Sequence, residues 1–436
     1  MDDNPSLARP LPLPCGLVLP NRLAKAAMTE GLADAAGLPT TKLETLYRRW
    51  SDGGTGLLIT GNIQIDADHL ERAGNVVIDG VPDASRAAAL ASFAKAAKSG
   101  GSAVIAQLSH GGRQTPAPIN PAPKAPSAVP LGAMPFIAFG QPQAMTADDI
   151  AIIERKFVDA AKVCHAAGFD GVQVHAAHGY LLSSFLSPLL NRRDDEWGGS
   201  LENRAKLLLD IVRKVRAECP APFAISVKLN SADFQRGGFA IEDSERVAGW
   251  LDEAGMDLLE ISGGTYEQTA MMGNKGDDDD GSRAGAQART AAREAYFQEF
   301  APRIRAALDR AKLMVTGGFR SRDGMEHALA EDGIDLIGIA RPLIVDPDIS
   351  KHLLGGYEET QRIENELRVG PGPLSPQSRF AAIKALNASA TQAWYYEQLE
   401  RLGAGEEVDP KGRILTAAMA FKKRDAAKLA AIKAAR

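Results

Sequence analysis

The chain has 436 residues, 45% of them hydrophobic and 24% charged, an ordinary balance for a soluble globular protein. Its formal net charge of −5 argues against a dedicated nucleic-acid binder, whose affinity rests on basic patches. Cys15, Cys164 and Cys219 are widely spaced with no CxxC pair, so neither a disulfide framework nor a cysteine-built metal cluster is suggested.

The first ten residues, MDDNPSLARP, are acidic and contain proline, unlike the basic-then-apolar start of a signal peptide. No apolar run approaches the ~18 residues a membrane helix needs. These features predict a cytoplasmic protein with no membrane or nucleic-acid partner. CGLVLPN (15–21) reads as a short hairpin. Eight short apolar runs follow, at 22–28, 57–62, 102–109, 171–177, 223–230, 258–263, 313–318 and 336–341. Helix-like stretches alternate with them. RAAALASFAKAAKSG (86–100) is alanine-rich and meets a Gly-Gly stop. The stretch 146–168 opens with Thr146 and Asp149 at capping-box spacing and carries Ile150, Ile153, Phe157 and Val158 on one face. The stretch 200–219 starts at a serine N-cap.

Strand–helix alternation repeated eight times predicts parallel strands joined by right-handed crossovers. Over about 340 residues this suits a (β/α)8 TIM barrel, with the hairpin plugging its bottom. A Rossmann sheet would want GxGxxG after its first strand, and none is there. Two connections, 113–145 and 264–290, are too long for plain loops and would overhang the barrel mouth as lids. The second carries Asp277–Asp280, which reads as a solvated loop tip. The reading divides the chain into a barrel over 1–350 and a helical extension over 351–436, joined through GPGPLSP (371–377). The extension ends basic, with Lys422, Lys423, Arg424, Lys428, Lys433 and Arg436, and is expected to pack on the barrel or on a partner in a homo-oligomer.

In such a barrel, functional residues crowd at the C-terminal strand ends. Gly317-Gly318 after the seventh strand and Arg341 after the eighth suit a phosphate, which bare backbone N–H groups and a guanidinium would hold. His175 and His178, with Tyr180 just beyond, follow the fourth strand. They fit a metal site, a pair of packed core imidazoles, or two hydrogen-bond donors to a developing oxyanion with a phenol as proton donor. Lys228, ending the fifth strand, fits either a Schiff-base nucleophile, as in an aldolase, or a fixed positive charge against an electron-rich ring.

LPNRLAKAAMTEG (19–31), QLSHGGRQ (107–114), GFDGVQVHAAHGYLLSSFLSPLLNRRDDEWGGSLENR (168–204), VTGGF (315–319) and GIARPLI (338–344) together resemble the Old Yellow Enzyme family of FMN-dependent oxidoreductases. The resemblance runs from about residue 8 to residue 350. It implies a (β/α)8 barrel with FMN at the mouth and NADPH or NADH as reductant. Ala27, Met28 and Thr29 would line the flavin, with the Thr29 hydroxyl on its edge. Gly61 and Gln107 would make further contacts, Lys228 would sit near N1, and Gly317, Gly318, Ala340 and Arg341 would hold the phosphate. His175 and His178 would grip a substrate carbonyl oxygen, and Tyr180 would donate the proton. The implied reaction is ping-pong reduction of the activated C=C bond of an enone by hydride from flavin N5. A demethylase or dehydrogenase running the flavin the other way is the alternative within the family. Relatives with an iron–sulfur centre carry a cysteine cluster after the barrel, and no cysteine follows Cys219 here.

Overall fold

The computed structural model describes residues 6–132, 138–233, 235–262 and 300–435. Each apolar run contributes one strand: β1 (Leu23–Lys25), β2 (Leu57–Ile59), β3 (Ala103–Ser109), β4 (Gly171–Ala176), β5 (Ala224–Asn230), β6 (Leu258–Ser262), β7 (Lys312–Thr316) and β8 (Leu336–Ile339). Neighbours pair in parallel in chain order, and β8 pairs with β1, so the sheet closes. The expected (β/α)8 barrel is the observed one.

Helices α1 (Thr41–Asp52), α2 (Ala84–Ala97), α3 (Ala147–Ala166), α4 (Leu201–Glu218), α5 (Ile241–Glu253) and α6 (Arg322–Glu331) make crossovers, and residues 300–306 are helical before β7. The start of α3 is the capping box expected from Thr146 and Asp149, and Ser200 caps α4 through the Asn203 N–H. Helix α2 begins at Ala84, two residues ahead of the alanine-rich run, because the Asp83 carboxylate caps it through the Arg86 N–H.

Strand alternation sorts the side chains into two cores. Val104, Ala106 and Leu108 of β3, with Val172 and Val174 of β4, face the helices in one large apolar cluster. Ala103 and Ile105 point inward and join Leu57, Ala224, Leu258 and Leu336, most of them at strand starts, in a second cluster. The N-terminal hairpin completes that second cluster with Leu11, Leu13 and Leu19. Its strands are Leu11–Pro12 and Val18–Leu19, so its first arm lies upstream of the expected 15–21. It seals the N-terminal end of the barrel.

Of the two long connections, 264–290 and its acidic run lie outside the described residues. The other is pinned: Lys124–Ala125 pairs with Gln143–Ala144, and Arg193 Nη1 holds the carbonyls of Pro126 at 3.1 Å and Met145 at 2.5 Å. Asp195 fixes Arg193, while Asn191 ties Phe185 and Trp197 carbonyls, so the NRRDDEW stretch is a polar clamp rather than chemistry. The tail forms α7 (Ala381–Gly403) and α8 (Ile414–Ala435). Helix α7 packs on α1, and its Trp394, Leu399 and Leu402 share the large cluster with Leu43 and Leu46. Two of the basic tail residues turn inward, Arg424 to Glu397 and Lys428 to the Gly31 carbonyl and Glu400, while Lys422, Lys423 and Lys433 stay exposed. Tyr396 and Phe421 flank the Arg72 guanidinium, with ring centres at 4.1 and 4.9 Å. Among the described residues no helix is long and apolar enough to cross a membrane.

Candidate active site

Strand order dictates the order of side chains around the mouth. Gly317-Gly318 leave β7, Ala340-Arg341 leave β8, and Ala27, Met28 and Thr29 leave β1 half-buried. Gly61 follows β2, Gln107 lies late in β3, His175 late in β4, and Lys228 late in β5 beside it in register. All the site residues picked out from the sequence therefore share one end of the barrel. At Gly61 a β-carbon would collide with the Met28 carbonyl and the Glu30 carboxylate, so glycine lets the exits of β1 and β2 meet.

Just inside the mouth, a polar layer spans the barrel. Gln107 Nε2 donates to Gln173 Oε1 at 2.7 Å, and Gln173 Nε2 donates to Glu260 Oε2 at 2.8 Å and to Ser226 Oγ at 3.1 Å. Lys228 Nζ binds Glu260 Oε1 at 2.8 Å. Every member is buried and partnered, the condition under which buried polar groups are tolerated. An ion-paired ammonium is not a nucleophile, whereas imine formation needs the free amine, so the geometry favours the fixed-charge side of the Lys228 fork.

His175 and His178 meet above this layer. His175 Nε2 lies 3.2 Å from His178 Nδ1, His175 Nδ1 lies 2.9 Å from Asn62 Oδ1, and His178 Nε2 lies 2.8 Å from Ser262 Oγ. Burial, then the neighbouring His178 and Lys228, push the His175 pKa well below the usual imidazole range. Burial, then Lys228, lower that of His178 to about 3. Both rings are therefore neutral near pH 7, and each has a single N–H to give. His178 has φ of 63°, the left-handed region that a non-glycine residue rarely occupies. Its N–H is held by Asn230 Oδ1 at 3.1 Å and its carbonyl by Gln114 Nε2 at 2.8 Å, which keep it there. The Tyr180 ring stands edge-on to His175, centre to centre at 4.8 Å.

The Thr29 hydroxyl, expected on a flavin edge, donates to Glu71 Oε2 at 2.6 Å. The same oxygen accepts from Asn62 Nδ2 at 2.8 Å. Beneath these residues, Lys25 is fully buried, 2.7 Å from the Ile59 carbonyl and ion-paired with Glu30. Burial lowers its pKa to about 8 against the opposing pull of Glu30. Glu30 and Tyr47 also take the Gly61 N–H, fixing the β2 exit.

Whether a flavin mononucleotide fits can be judged from the donors present. Gly317 and Gly318 have φ of 109° and 87°, a conformation only glycine adopts readily. The Thr316 hydroxyl is buried without a partner, and half-buried Arg341 makes no hydrogen bond or ion pair among the described residues. A phosphate suits this donor set. The ring would fall to Ala27, Met28, Thr29, Gly61, Gln107 and Lys228, which offer both donors and a positive charge.

Asp66, His69 and His110 lie close enough together to suggest a metal. Their hydrogen bonds oppose it. The Lys124 N–H donates to His69 Nε2 and the Gly112 N–H to His110 Nδ1, so the remaining nitrogens carry hydrogens, not lone pairs. Lys156 also holds Asp66, at 2.9 Å.

Several site residues escape the sequence reading. Gln173 and Glu260 are polar residues inside strands buried on both faces, a signal present in GVQVHAA and LLEISG. Glu71, Asn230 and Ser262 offer none, since their roles arise only from contacts between strand exits.

Comparison with known proteins agrees with this layout. The profile of the NADH:flavin oxidoreductase / NADH oxidase family matches residues 7–359. The NADH-dependent flavin oxidoreductase iliE of Hypocrea jecorina is 37% identical over 363 residues, covering 80% of this chain and 89% of the relative. The NADH-dependent flavin oxidoreductase iccE of Talaromyces variabilis is 34% identical over 415 residues, covering 91% and 98%. The solved old yellow enzyme homologue from Zymomonas mobilis has the same fold, with a TM-score of 0.66 at 24% identity over 84% of this chain and 98% of that one. The chain belongs to the NADH:flavin oxidoreductase / NADH oxidase family, the Old Yellow Enzyme group, and is a flavin oxidoreductase with FMN as cofactor and NADH or NADPH as reductant.

Proposed function

We propose that the protein is an ene-reductase, which reduces the activated C=C bond of α,β-unsaturated carbonyl compounds in a ping-pong cycle. The observation that carries this reading is the neutral, buried His175–His178 pair with Tyr180 beside it at the mouth. FMN, when bound, supplies the hydride and is recharged by the reduced nicotinamide. The chain's own residues supply the polar half of the reaction. A substrate carbonyl oxygen at the pair accepts a hydrogen bond from the rings of His175 and His178, whose facing nitrogens lie 3.2 Å apart in the free protein. That hydrogen bond strengthens as negative charge develops on the oxygen, so it lowers the barrier more than it tightens binding. Tyr180 then delivers its phenolic proton to the α-carbon, a role suited to a weak acid. Lys228, fixed by Glu260, holds positive charge below the ring position throughout.

Anaerobic half-reactions test this. Tyr180→Phe is expected to leave bleaching of the flavin band by NADH or NADPH intact and to slow its return with 2-cyclohexenone by ~10²–10⁴-fold. Two unchanged half-reactions would remove Tyr180 as the proton donor.

A further inference from the structure

Near residue 359, where the family profile ends, the chain comes back to the exit of β7. The Arg322 N–H donates to the Glu358 carbonyl and the Thr360 N–H to the Arg320 carbonyl, both at 2.8 Å, and Ser321 bridges Glu359 in antiparallel fashion. The segment 358–361 is thus a strap on the residues that follow Gly317-Gly318. Side chains tighten it. Arg320 is only 6% exposed, and its Nη1 donates to the Gln361 carbonyl at 3.3 Å. Its Nη2 donates to Glu364 Oε1. Glu364 lies on the turn Ile363–Asn365, and its other oxygen accepts the Tyr395 hydroxyl of α7 at 3.2 Å. Helix α7 also packs against the short helix Arg341–Val345, which begins at half-buried Arg341. The extension therefore supports both halves of the expected phosphate site, the glycine turn and the arginine.

The charges there form a set. Arg320 and Arg341 lie near enough to oppose each other, and Glu364 is the carboxylate that both feel. A buried guanidinium without a counter-charge is costly, and Glu364 supplies that charge to Arg320. With both oxygens engaged by Arg320 and Tyr395, Glu364 acts on Arg341 through space alone. The Arg341 guanidinium keeps its donors for another anion. Donors held in place before an anion arrives bind it more tightly than donors that must first be ordered.

We propose that Glu364 and Tyr395 are positioning residues for the FMN phosphate, through which the C-terminal extension sets the preference for FMN over riboflavin. They act on the glycine turn through Arg320, and on Arg341 through charge and packing. The inference rests on FMN as the cofactor and is independent of which substrate the reduced flavin meets.

Riboflavin differs from FMN in lacking the phosphate, so the ratio of the two Kd values isolates the phosphate end. Each flavin is titrated into the full-length apoprotein and followed by quenching of its fluorescence. Tyr395→Phe should weaken FMN about tenfold, the effect of losing one hydrogen bond to a charged group, and leave riboflavin unchanged. Glu364→Ala removes the partner of both Arg320 and Tyr395, so its FMN loss should be larger, again with riboflavin unchanged. Should Glu364→Ala fail to fold, Tyr395→Phe decides alone, since it deletes a single oxygen. Equal losses of FMN and riboflavin would mean that the two residues only support the fold. That result overturns the proposal, as does a Tyr395→Phe protein with the wild-type ratio.

Discussion

The two ends of the barrel are built from the same strands and differ in nearly everything else. At the N-terminal end the inward positions are Leu57, Ala103, Ala224, Leu258 and Leu336, closed by Leu11, Leu13 and Leu19 of the hairpin. Two to four residues further along the strands, the inward positions are Gln107, Gln173, His175, Lys228 and Glu260. Both layers are buried. The apolar layer needs no particular partner, because its gain comes from area removed from water. The polar layer survives only because each donor finds an acceptor. One end thus fixes the barrel, and the other holds a connected set of protons and charges whose arrangement can be tuned.

This contrast predicts opposite responses to mutation. Leu19→Ala, at a fully buried position of the hairpin, should lower stability by ~2–5 kcal/mol through lost transfer energy and a residual cavity. Its FMN affinity, measured by fluorescence titration below the unfolding transition, should match wild type. A large loss of FMN would mean that the two ends are coupled and the division is false. Arg341→Ala should behave in the reverse sense. Its guanidinium makes no hydrogen bond or ion pair among the described residues and feels Glu364 only through space, so removal should change the apoprotein's urea midpoint little while weakening FMN binding by ~1.5–3 kcal/mol, the usual worth of a hydrogen bond to a charged group. A destabilised apoprotein with intact FMN affinity would mean that Arg341 is structural.

The same contrast explains what was legible in the sequence. Strands covered on both faces appear as short apolar runs, which is why all eight were visible without a structure. A polar residue inside such a run must be satisfied or functional, so Gln107, His175 and Lys228 stand out, as do Gln173 and Glu260 once the rule is applied evenly. Glu71 is different. It sits in HLERAGN, with no strand or helix period, and meets Thr29 and Asn62 only because the exits of β1 and β2 converge. The docking of the tail is equally hidden. Helix α8 has no strongly one-sided apolar face, and it is seated on the barrel by Phe421 against Arg72, by Lys428 on the Gly31 carbonyl, and by Leu429 and Ile432 against Leu70, Val77 and Ile119. Composition led to the expectation that the tail packs on the barrel or on a partner, but it named none of these contacts.

The effect that is smallest per unit of the variable changed tests the polar layer's cost directly. His178 has a folded pKa of about 3, against an unfolded value near 6.5. Between those values the unfolded chain binds a proton that the folded chain refuses, so stability must fall as the pH drops from about 6.5 toward 3. Each such histidine contributes a slope of at most ~1.4 kcal/mol per pH unit. His178→Asn removes the titrating ring, so urea midpoints of the FMN-loaded protein should decline less steeply over that range than in wild type. Above neutral pH, both rings are uncharged in either state, and the wild-type and variant profiles should run parallel. Equal acid slopes in the two proteins would mean that the folded pocket admits the imidazolium, and the neutral pair would no longer describe the mouth.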